Sequence, residues 1–431
     1  MKIETVMFRS VRFLTGAFFV TGMLMLPSHG LAANLSPLGM APDWPSLEKY
    51  QRTITRAEFQ HLIETVYCPH GISDELLHID EESARVLMDR EAQTWWTLRF
   101  AKTDAARKPV ARYWRRPFAL PAPKPGKVLS DLRIALDPGH IGGAWAKMEE
   151  RWLQVADKQP VQEGDMTLRV AQILAPRLRA LGAKVSLVRD KLEPITAKRP
   201  DDFMELARQI LARNGMSEAR EDYQGADDPL KEQTVRWQSE ILFYRQSEIR
   251  ARAERVNNKI RPDLVLCLHF NAEPWGDASN PTLVDKDHFH LLVNGAYLEA
   301  ELQYDDDRFE MIRRLLLRTS PEEAALAEKL ALSMQTATQL PPYEYTTDNV
   351  RKIGSTGYVY ARNLIANRLY RCPVLYFEPY VMNGREAFER IQAGDYDGTR
   401  EVNGQSRASI FREYANGVIG GLVDYYRAAR D

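Results

Sequence analysis

Two histidines and a glutamate follow three short apolar segments, at the points where each segment ends. His140 follows the segment 133–136 through an Asp-Pro-Gly turn, His269 directly follows the run LVLCL, and Glu378 directly follows the run VLYF. If the segments are strands of an open α/β sheet, ligands bind in the crevice outside their carboxyl ends. We therefore expect the three side chains at one edge of a sheet. Glu163 lies just before the next apolar helix pattern, so it can face the same edge.

These residue types favour a hydrolase centre built on a metal ion. Two imidazoles and one carboxylate are a usual ligand set for catalytic zinc, with the fourth position open to water. Zinc activates that water and polarises a carbonyl group, and a further carboxylate can carry the proton to a leaving amine. Spacing alone leaves open that these are core and capping residues, because the chain has no HExxH or paired-cysteine motif.

Four stretches of the chain occur in the order found in one family of cell-wall enzymes. They are RIALDPGHIGG, QEGDMTLRVAQILAPRLRALGAKVSLVRD, RAERVNNKIRPDLVLCLHFNA and PVLYFEPYVMN. Over about residues 131–428, the chain resembles the zinc-dependent N-acetylmuramoyl-L-alanine amidases of the cell-wall hydrolase type. The resemblance implies that His140, Glu163 and His269 bind Zn²⁺ and that Glu378 is catalytic. It also implies cleavage of the amide bond between N-acetylmuramic acid and L-alanine, in peptidoglycan or its fragments.

The chain departs from the family in two of these stretches. The stretch between His140 and Glu163 is longer than the family's usual glycine-rich loop, and it contains Glu149 and Glu150 as rival second ligands. We favour Glu163 because the apolar helix pattern starts immediately after it. The last motif has Pro379-Tyr380 where the family commonly has a glycine and an aromatic residue. These differences affect the prediction of the substrate more than that of the metal.

Two other functions are compatible with the same residues. One is another zinc amidohydrolase or peptidase with this ligand order, although carboxypeptidases usually place the first two ligands much closer together than His140 and Glu163. The other is a non-catalytic wall-binding or regulatory protein on the same scaffold. The presence of all four predicted site residues favours an enzyme over the second alternative.

The rest of the chain divides into segments that must position these residues. Residues 34–116 contain one helix pattern and three strand patterns, which predict a small α+β domain of unknown role. Residues 117–130 are proline-rich and predict a linker. Residues 131–428 alternate strands with helices, which predicts an α/β domain with a twisted, mostly parallel sheet and helices on both faces.

A charged helical insert occupies about residues 199–252 of that domain. Its mixture of charges favours a solvated helical hairpin. Connections of this length often have a function of their own. A lid over the site, released by an activator protein, is therefore the alternative.

The amino terminus has the three zones of an export signal. Lys2, Arg9 and Arg12 precede an apolar run of 15 residues, and a short segment ending in small residues follows it. The run is short for a transmembrane helix, so we predict a signal peptide over residues 1–33, with an uncleaved anchor as the alternative. We expect a periplasmic or secreted protein with no stable membrane span after cleavage.

Composition and a few isolated residues complete the predictions. The chain has 58 basic and 59 acidic residues and a net charge of −1, so no overall field favours binding to nucleic acid. Three cysteines are too few for a disulfide framework, although Cys68 and Cys372 could pair in an oxidising compartment. His288 and His290 could line the cleft, but their place on a half-buried strand favours a structural role.

Overall fold

The computed structural model describes residues 34–430. Its strands are Leu77–Ile79 (β1), Ser83–Asp89 (β2), Thr94–Arg99 (β3), Arg133–Pro138 (β4), Trp152–Leu153 (β5), Val161–Gln162 (β6), Lys184–Leu187 (β7), Leu264–Leu268 (β8), Phe289–Val293 (β9), Arg351–Lys352 (β10), Val359–Ala361 (β11), Val374–Pro379 (β12), Thr399–Val402 (β13) and Gln405–Ala408 (β14). Its α-helices are Arg56–Leu62 (α1), Glu163–Ala180 (α2), Met204–Arg213 (α3), Val235–Ile241 (α4), Glu248–Glu254 (α5), Asp305–Leu317 (α6), Ser320–Thr338 (α7), Ile365–Leu369 (α8), Arg385–Gln392 (α9) and Ile410–Ala428 (α10).

A seven-stranded sheet forms the centre of the fold, in the order β10-β11-β9-β12-β8-β4-β7. The neighbours β7, β4, β8 and β12 are mutually parallel, whereas β9 runs antiparallel to β12 and parallel to β11. This arrangement confirms the predicted α/β class with a mostly parallel sheet. The reversed direction of β9 is not specified by its apolar pattern, because burial on both faces looks the same in either direction.

Both faces of the sheet are covered, because successive side chains of a strand point to opposite faces. In β8, Leu264, Leu266 and Leu268 belong to the larger core, which α2, α7 and α10 cover. Val265 and Cys267 belong to the core on the other face, together with residues of α5 and α8. The unbroken apolar run of β8 follows directly from this double burial.

The amino-terminal elements pack against a helix that is distant in sequence. Strands β1, β2 and β3 form an antiparallel sheet beside α1, as the patterns in residues 34–116 predict. Their core also includes Phe309, Met311 and Leu315 of α6. The apolar side chains of this region and of α6 are therefore buried together. The sequence analysis did not predict α6.

The insert has an apolar core of its own, which extends to the loop after β4. Phe203, Leu211 and Phe243 are buried in this core together with Ile141, the residue that follows His140. The segments Leu242–Ser247 and Arg255–Ile260 are π-helical turns that continue α4 and α5. The insert is thus packed onto the loop that carries His140.

The next sequence predictions concern the signal peptide, membrane spans and the cysteines. The predicted signal peptide over residues 1–33 lies outside the described residues. Within residues 34–430, no helix is both long and apolar enough to cross a membrane. Cys68, Cys267 and Cys372 are all buried and free, so the structure contains no Cys68–Cys372 disulfide.

Candidate metal centre

The four predicted site residues come together at the carboxyl edge of the sheet. His140 follows β4, His269 follows β8, and Glu378 lies near the end of β12. Because β12, β8 and β4 are adjacent and parallel, their carboxyl ends lie side by side. Glu163 is the first residue of α2, whose amino-terminal end lies at the same edge. All four side chains line one cleft.

Glu163 lies between the two histidines. Its Oε2 is 3.1 Å from His140 Nε2, and its Oε1 is 3.0 Å from His269 Nδ1. One ligand atom from each of the three residues lies within 4.8 Å of the others. Zinc bonds of about 2.0–2.2 Å place tetrahedral ligands about 3.3 Å apart. The spacing and the donor types therefore fit a zinc ion.

Electrostatic contacts keep this carboxylate ionised. Burial alone would raise the pKa of Glu163, but His140 and His269 hold that pKa well below its usual value. Arg151 adds a further positive charge, with its Nε 3.2 Å from Oε2 of Glu163. A carboxylate must be deprotonated to bind a metal cation, and Glu163 meets this requirement.

Two glycines allow the backbone of the site to pack this closely. A Cβ atom on Gly139 would lie 2.3 Å from the His269 ring, so any larger residue there would displace that histidine. A Cβ atom on Gly164 would lie 2.3 Å from the backbone nitrogen of Gly142. These contacts explain why glycines stand beside His140 and Glu163.

A buried arginine of the insert fixes the turn before His140. Arg252 of α5 donates to Asp137 Oδ1 at 3.0 Å and to the carbonyl oxygens of Pro138 at 2.7 Å and His140 at 2.8 Å. Its Nε donates to Glu248 Oε1 at 2.7 Å. Nothing in the sequence indicated this role for Arg252, because a buried arginine and a solvated one look the same in the charge pattern of the insert.

The two rival glutamates lie outside the group of three ligand atoms. Glu149 is 2% exposed and lies on the other side of the His140 ring, with Oε1 3.6 Å from Nδ1. Although burial opposes ionisation, contact with His140 and with backbone N–H groups lowers the pKa of Glu149. Glu150 also lines the cleft, where Lys231 Nζ is 2.9 Å from its Oε1.

Glu378 has the electrostatic properties of a proton-transfer group. Burial raises the pKa of its carboxyl group to about 7, an effect that His269 opposes and the nearby charge of Glu163 increases. The side chain remains partly accessible from the cleft. A carboxyl group with a pKa near neutrality can both accept and return a proton.

The cleft has a volume of about 750 Å³ and three walls. The insert contributes Lys231, Tyr244 and Arg245, and the loop after His269 contributes Trp275. The third wall is formed by polar and aromatic residues of β9 and the segments after it, namely His290, Tyr343, Tyr345 and Arg362. The insert therefore borders the site.

His290 belongs to this wall, although its place on a strand had favoured a purely structural role. It is opposite Glu378 in the register between β9 and β12, so both side chains point to the cleft face. Its Nε2 is 2.8 Å from the Tyr345 hydroxyl group, and burial lowers its pKa well below the usual value. His288 instead contacts Glu273, with 3.4 Å between Nε2 and Oε1. No motif or pattern in the sequence indicated that Tyr345 would line the cleft.

Comparisons with known proteins give matches in three dimensions only. No protein-family model and no curated protein matches the chain. Among solved structures, the chain is similar to the N-acetylmuramyl-L-alanine amidase Ami1 from Mycobacterium smegmatis at 15% identity and a TM-score of 0.36, over 70% of this chain and 99% of that one. It is also similar to the CwlD amidase from Clostridioides difficile, solved in complex with the GerS lipoprotein, at 10% identity and a TM-score of 0.37, over 68% and 98%.

A third similar structure is the N-acetylmuramoyl-L-alanine amidase AmiC2 of Nostoc punctiforme. The identity is 14% and the TM-score 0.33, over 69% of this chain and 96% of that one. Scores of this size are too low to transfer a function. The chemistry of the site therefore depends on the geometry described above.

Proposed function

We propose that the protein is an exported, zinc-dependent amidohydrolase that cleaves the amide bond between N-acetylmuramic acid and L-alanine in peptidoglycan. The proposal depends on one observation: ligand atoms of His140, Glu163 and His269 all lie within 4.8 Å of one another in a cleft that Glu378 also lines. The substrate is inferred from the sequence motifs that resemble those of the amidase family.

The chain's own residues account for binding and proton transfer in this reaction. Bound Zn²⁺ would polarise the amide carbonyl group and activate water. Glu378 accepts the proton of the attacking water and returns it to the departing amine of L-alanine. Its pKa of about 7 suits both steps, because proton transfer is most efficient when the pKa is near the working pH. Arg252 keeps the turn before His140 in place.

The organisation of the chain is part of the proposal. A signal peptide over residues 1–33 directs the protein to the periplasm or outside the cell, and residues 34–116 form an amino-terminal domain. Residues 117–130 are the linker to the catalytic domain at 131–428. The insert at about 199–252 restricts the cleft until an activator protein engages it, since Lys231 and Arg245 of this insert line the cleft.

The proposal is tested on the purified chain and its Glu378→Ala variant. Bound zinc is measured, both proteins are incubated with peptidoglycan, and the products are identified by mass spectrometry. We expect one zinc ion per chain and free stem peptides that begin with L-alanine, with loss of the peptides in the variant while its zinc remains. A wild-type protein that binds no zinc and releases no peptide would indicate the wall-binding alternative.

A further inference from the structure

Glu149 is a fully buried carboxylate that the proposed reaction does not use. It is 2% exposed, in the long stretch between His140 and Glu163. Both of its oxygens lie 2.9 Å from the backbone nitrogen of Ile141, and Oε2 also accepts from the backbone N–H of Gly142 at 3.0 Å. Its Oε1 faces Nδ1 of His140 at 3.6 Å.

His140 therefore has a buried carboxylate at each ring nitrogen. Glu163 faces Nε2 at 3.1 Å, and Glu149 faces Nδ1 from the opposite side of the ring. A neutral imidazole carries its proton on one nitrogen only, and the other nitrogen keeps the lone pair that binds a metal. The nitrogen that faces Glu149 is outside the ligand group, so it is the nitrogen free to carry the proton.

The segment that contains Glu149 folds back onto the His140 loop. The backbone nitrogen of Glu149 donates to Trp145 O at 3.0 Å, and that of Arg151 donates to Ala146 O at 2.9 Å. These turns direct the Glu149 side chain to the backbone of Ile141 and Gly142. The extra length of this stretch thus brings a second carboxylate to His140.

We propose that Glu149 is a positioning residue whose buried negative charge, facing Nδ1 of His140, favours the tautomer protonated at Nδ1 and the ring orientation in which Nε2 faces the metal. The inference rests on the proposed zinc site. Carboxylates that hold metal-binding histidines in this way orient the ring and increase its basicity, and their loss typically weakens metal binding by about 10- to 100-fold. The opposing possibility is that Glu149 only caps the backbone N–H groups of the loop.

The test compares zinc affinity in three proteins: the wild-type chain, Glu149→Gln and the matched control Glu150→Gln. The amide oxygen of the glutamine introduced by Glu149→Gln can still accept from the backbone, but the negative charge beside Nδ1 is lost. Affinity is measured by competition with a chromophoric chelator, and the melting temperature of each metal-free protein reports folding. We expect Glu149→Gln to weaken zinc binding about 10- to 100-fold and Glu150→Gln to leave it unchanged.

Two further measurements separate positioning from capping. The visible spectrum of the Co²⁺-substituted protein should change in Glu149→Gln, because the ligand geometry changes. In the zinc-loaded wild-type chain, ¹⁵N shifts of labelled histidines should show a protonated Nδ1 on His140; this measurement needs no variant, so it holds even if Glu149→Gln folds poorly.

Each result has a defined consequence. Unchanged zinc affinity and an unchanged Co²⁺ spectrum in Glu149→Gln, or metal at Nδ1 of His140, would overturn the role of Glu149 alone. A wild-type chain that binds no zinc would overturn the zinc site together with it.

Discussion

The three glutamates at the site differ in whether their surroundings lower or raise the pKa of the carboxyl group. Glu163 and Glu149 are buried but lie against His140, which keeps the pKa of each carboxyl group below its usual value. Glu378 lies nearby, partly accessible from the cleft and without a comparable partner, and desolvation raises its pKa to about 7. The two ionised carboxylates suit binding and orientation, and the raised pKa suits proton transfer.

The raised pKa of Glu378 predicts a stability cost that depends on pH. The unfolded pKa of a glutamate is about 4.3, so the ionised form is disfavoured in the fold. The cost is absent below about pH 4, grows between about pH 4 and 7, and is complete above about pH 7. In metal-free protein, Glu378→Gln should therefore raise the free energy of unfolding at about pH 8 by up to about 3–4 kcal/mol, with no gain near pH 4.

The measurement is thermal unfolding of both metal-free proteins across this pH range. Taking the difference between them cancels the titration of other groups. A gain that is equal at the two ends of the range would contradict the electrostatic origin, since only repacking would then explain it.

Among the elements, α5 connects the insert to the turn that carries His140 of the candidate metal centre. Arg252 is 1% exposed and contacts Asp137, Glu248 and the carbonyl oxygen of His140. Removing one member of a buried ion pair commonly costs about 3–5 kcal/mol, because it leaves an uncompensated charge. Arg252→Met should thus lower the melting temperature and also weaken zinc binding through the displaced His140 loop.

The control for this variant is Arg255→Met, one turn later on the same helical segment and only half-buried. It should leave zinc affinity unchanged. Zinc affinity that is preserved in a folded Arg252→Met protein would show that α5 is not needed to position His140.

One contact between the insert and the stretch after His140 tests whether the insert restricts access to the cleft. Lys231 Nζ lies 2.9 Å from Glu150 Oε1, and both residues line the cleft. If the insert is a lid, Lys231→Ala should raise basal cleavage of peptidoglycan several-fold. Arg236→Ala is the control, because Arg236 pairs with Asp201 on an exposed part of the insert. Release of soluble peptides measures the rate.

This point variant is more informative than deletion of residues 203–244. The deletion should also raise basal activity if the insert is a lid. However, it removes Phe243, which is buried together with Ile141, the residue that follows His140. Equal rates for Lys231→Ala, Arg236→Ala and the wild type would count against a lid.

In the whole molecule, the amino-terminal sheet and α6 bury their apolar side chains in one core. Phe309 of α6 is 4% exposed, and its ring centroid lies 5.2 Å from that of Trp44 in an edge-to-face arrangement. Phe309→Ala should cost about 3–5 kcal/mol, as truncation of a buried aromatic residue usually does. The exposed Leu332 of α7 gives the control, and Leu332→Ala should change stability by less than about 0.5 kcal/mol.

The expected unfolding is cooperative across this shared core. Tryptophan fluorescence and far-ultraviolet circular dichroism should shift to the same lower midpoint in Phe309→Ala. Two separate unfolding transitions in Phe309→Ala would mean that residues 34–116 unfold independently of the central sheet.

Much of the fold and of the candidate site is predictable from local sequence. The strand at Leu264–Leu268 and the helix that begins at Glu163 are found where their apolar patterns predict them. The site residues His140, His269 and Glu378 are found at one sheet edge because parallel strands present their carboxyl ends together. These features depend on the periodicity of apolar residues and on the direction of the chain, and both can be determined from the sequence alone.

Only the tertiary structure decided which distant groups meet. The direction of β9, the packing of α6 on the amino-terminal sheet and the approach of Arg252 to Pro138 all join segments far apart in sequence. The sequence favoured Glu163 over Glu149 as the second ligand, but only the folded loop shows that the two carboxylates face different nitrogens of the His140 ring. The physical reason is that contacts between distant segments depend on how side chains fit and are buried in the whole fold. A local sequence pattern does not contain this information.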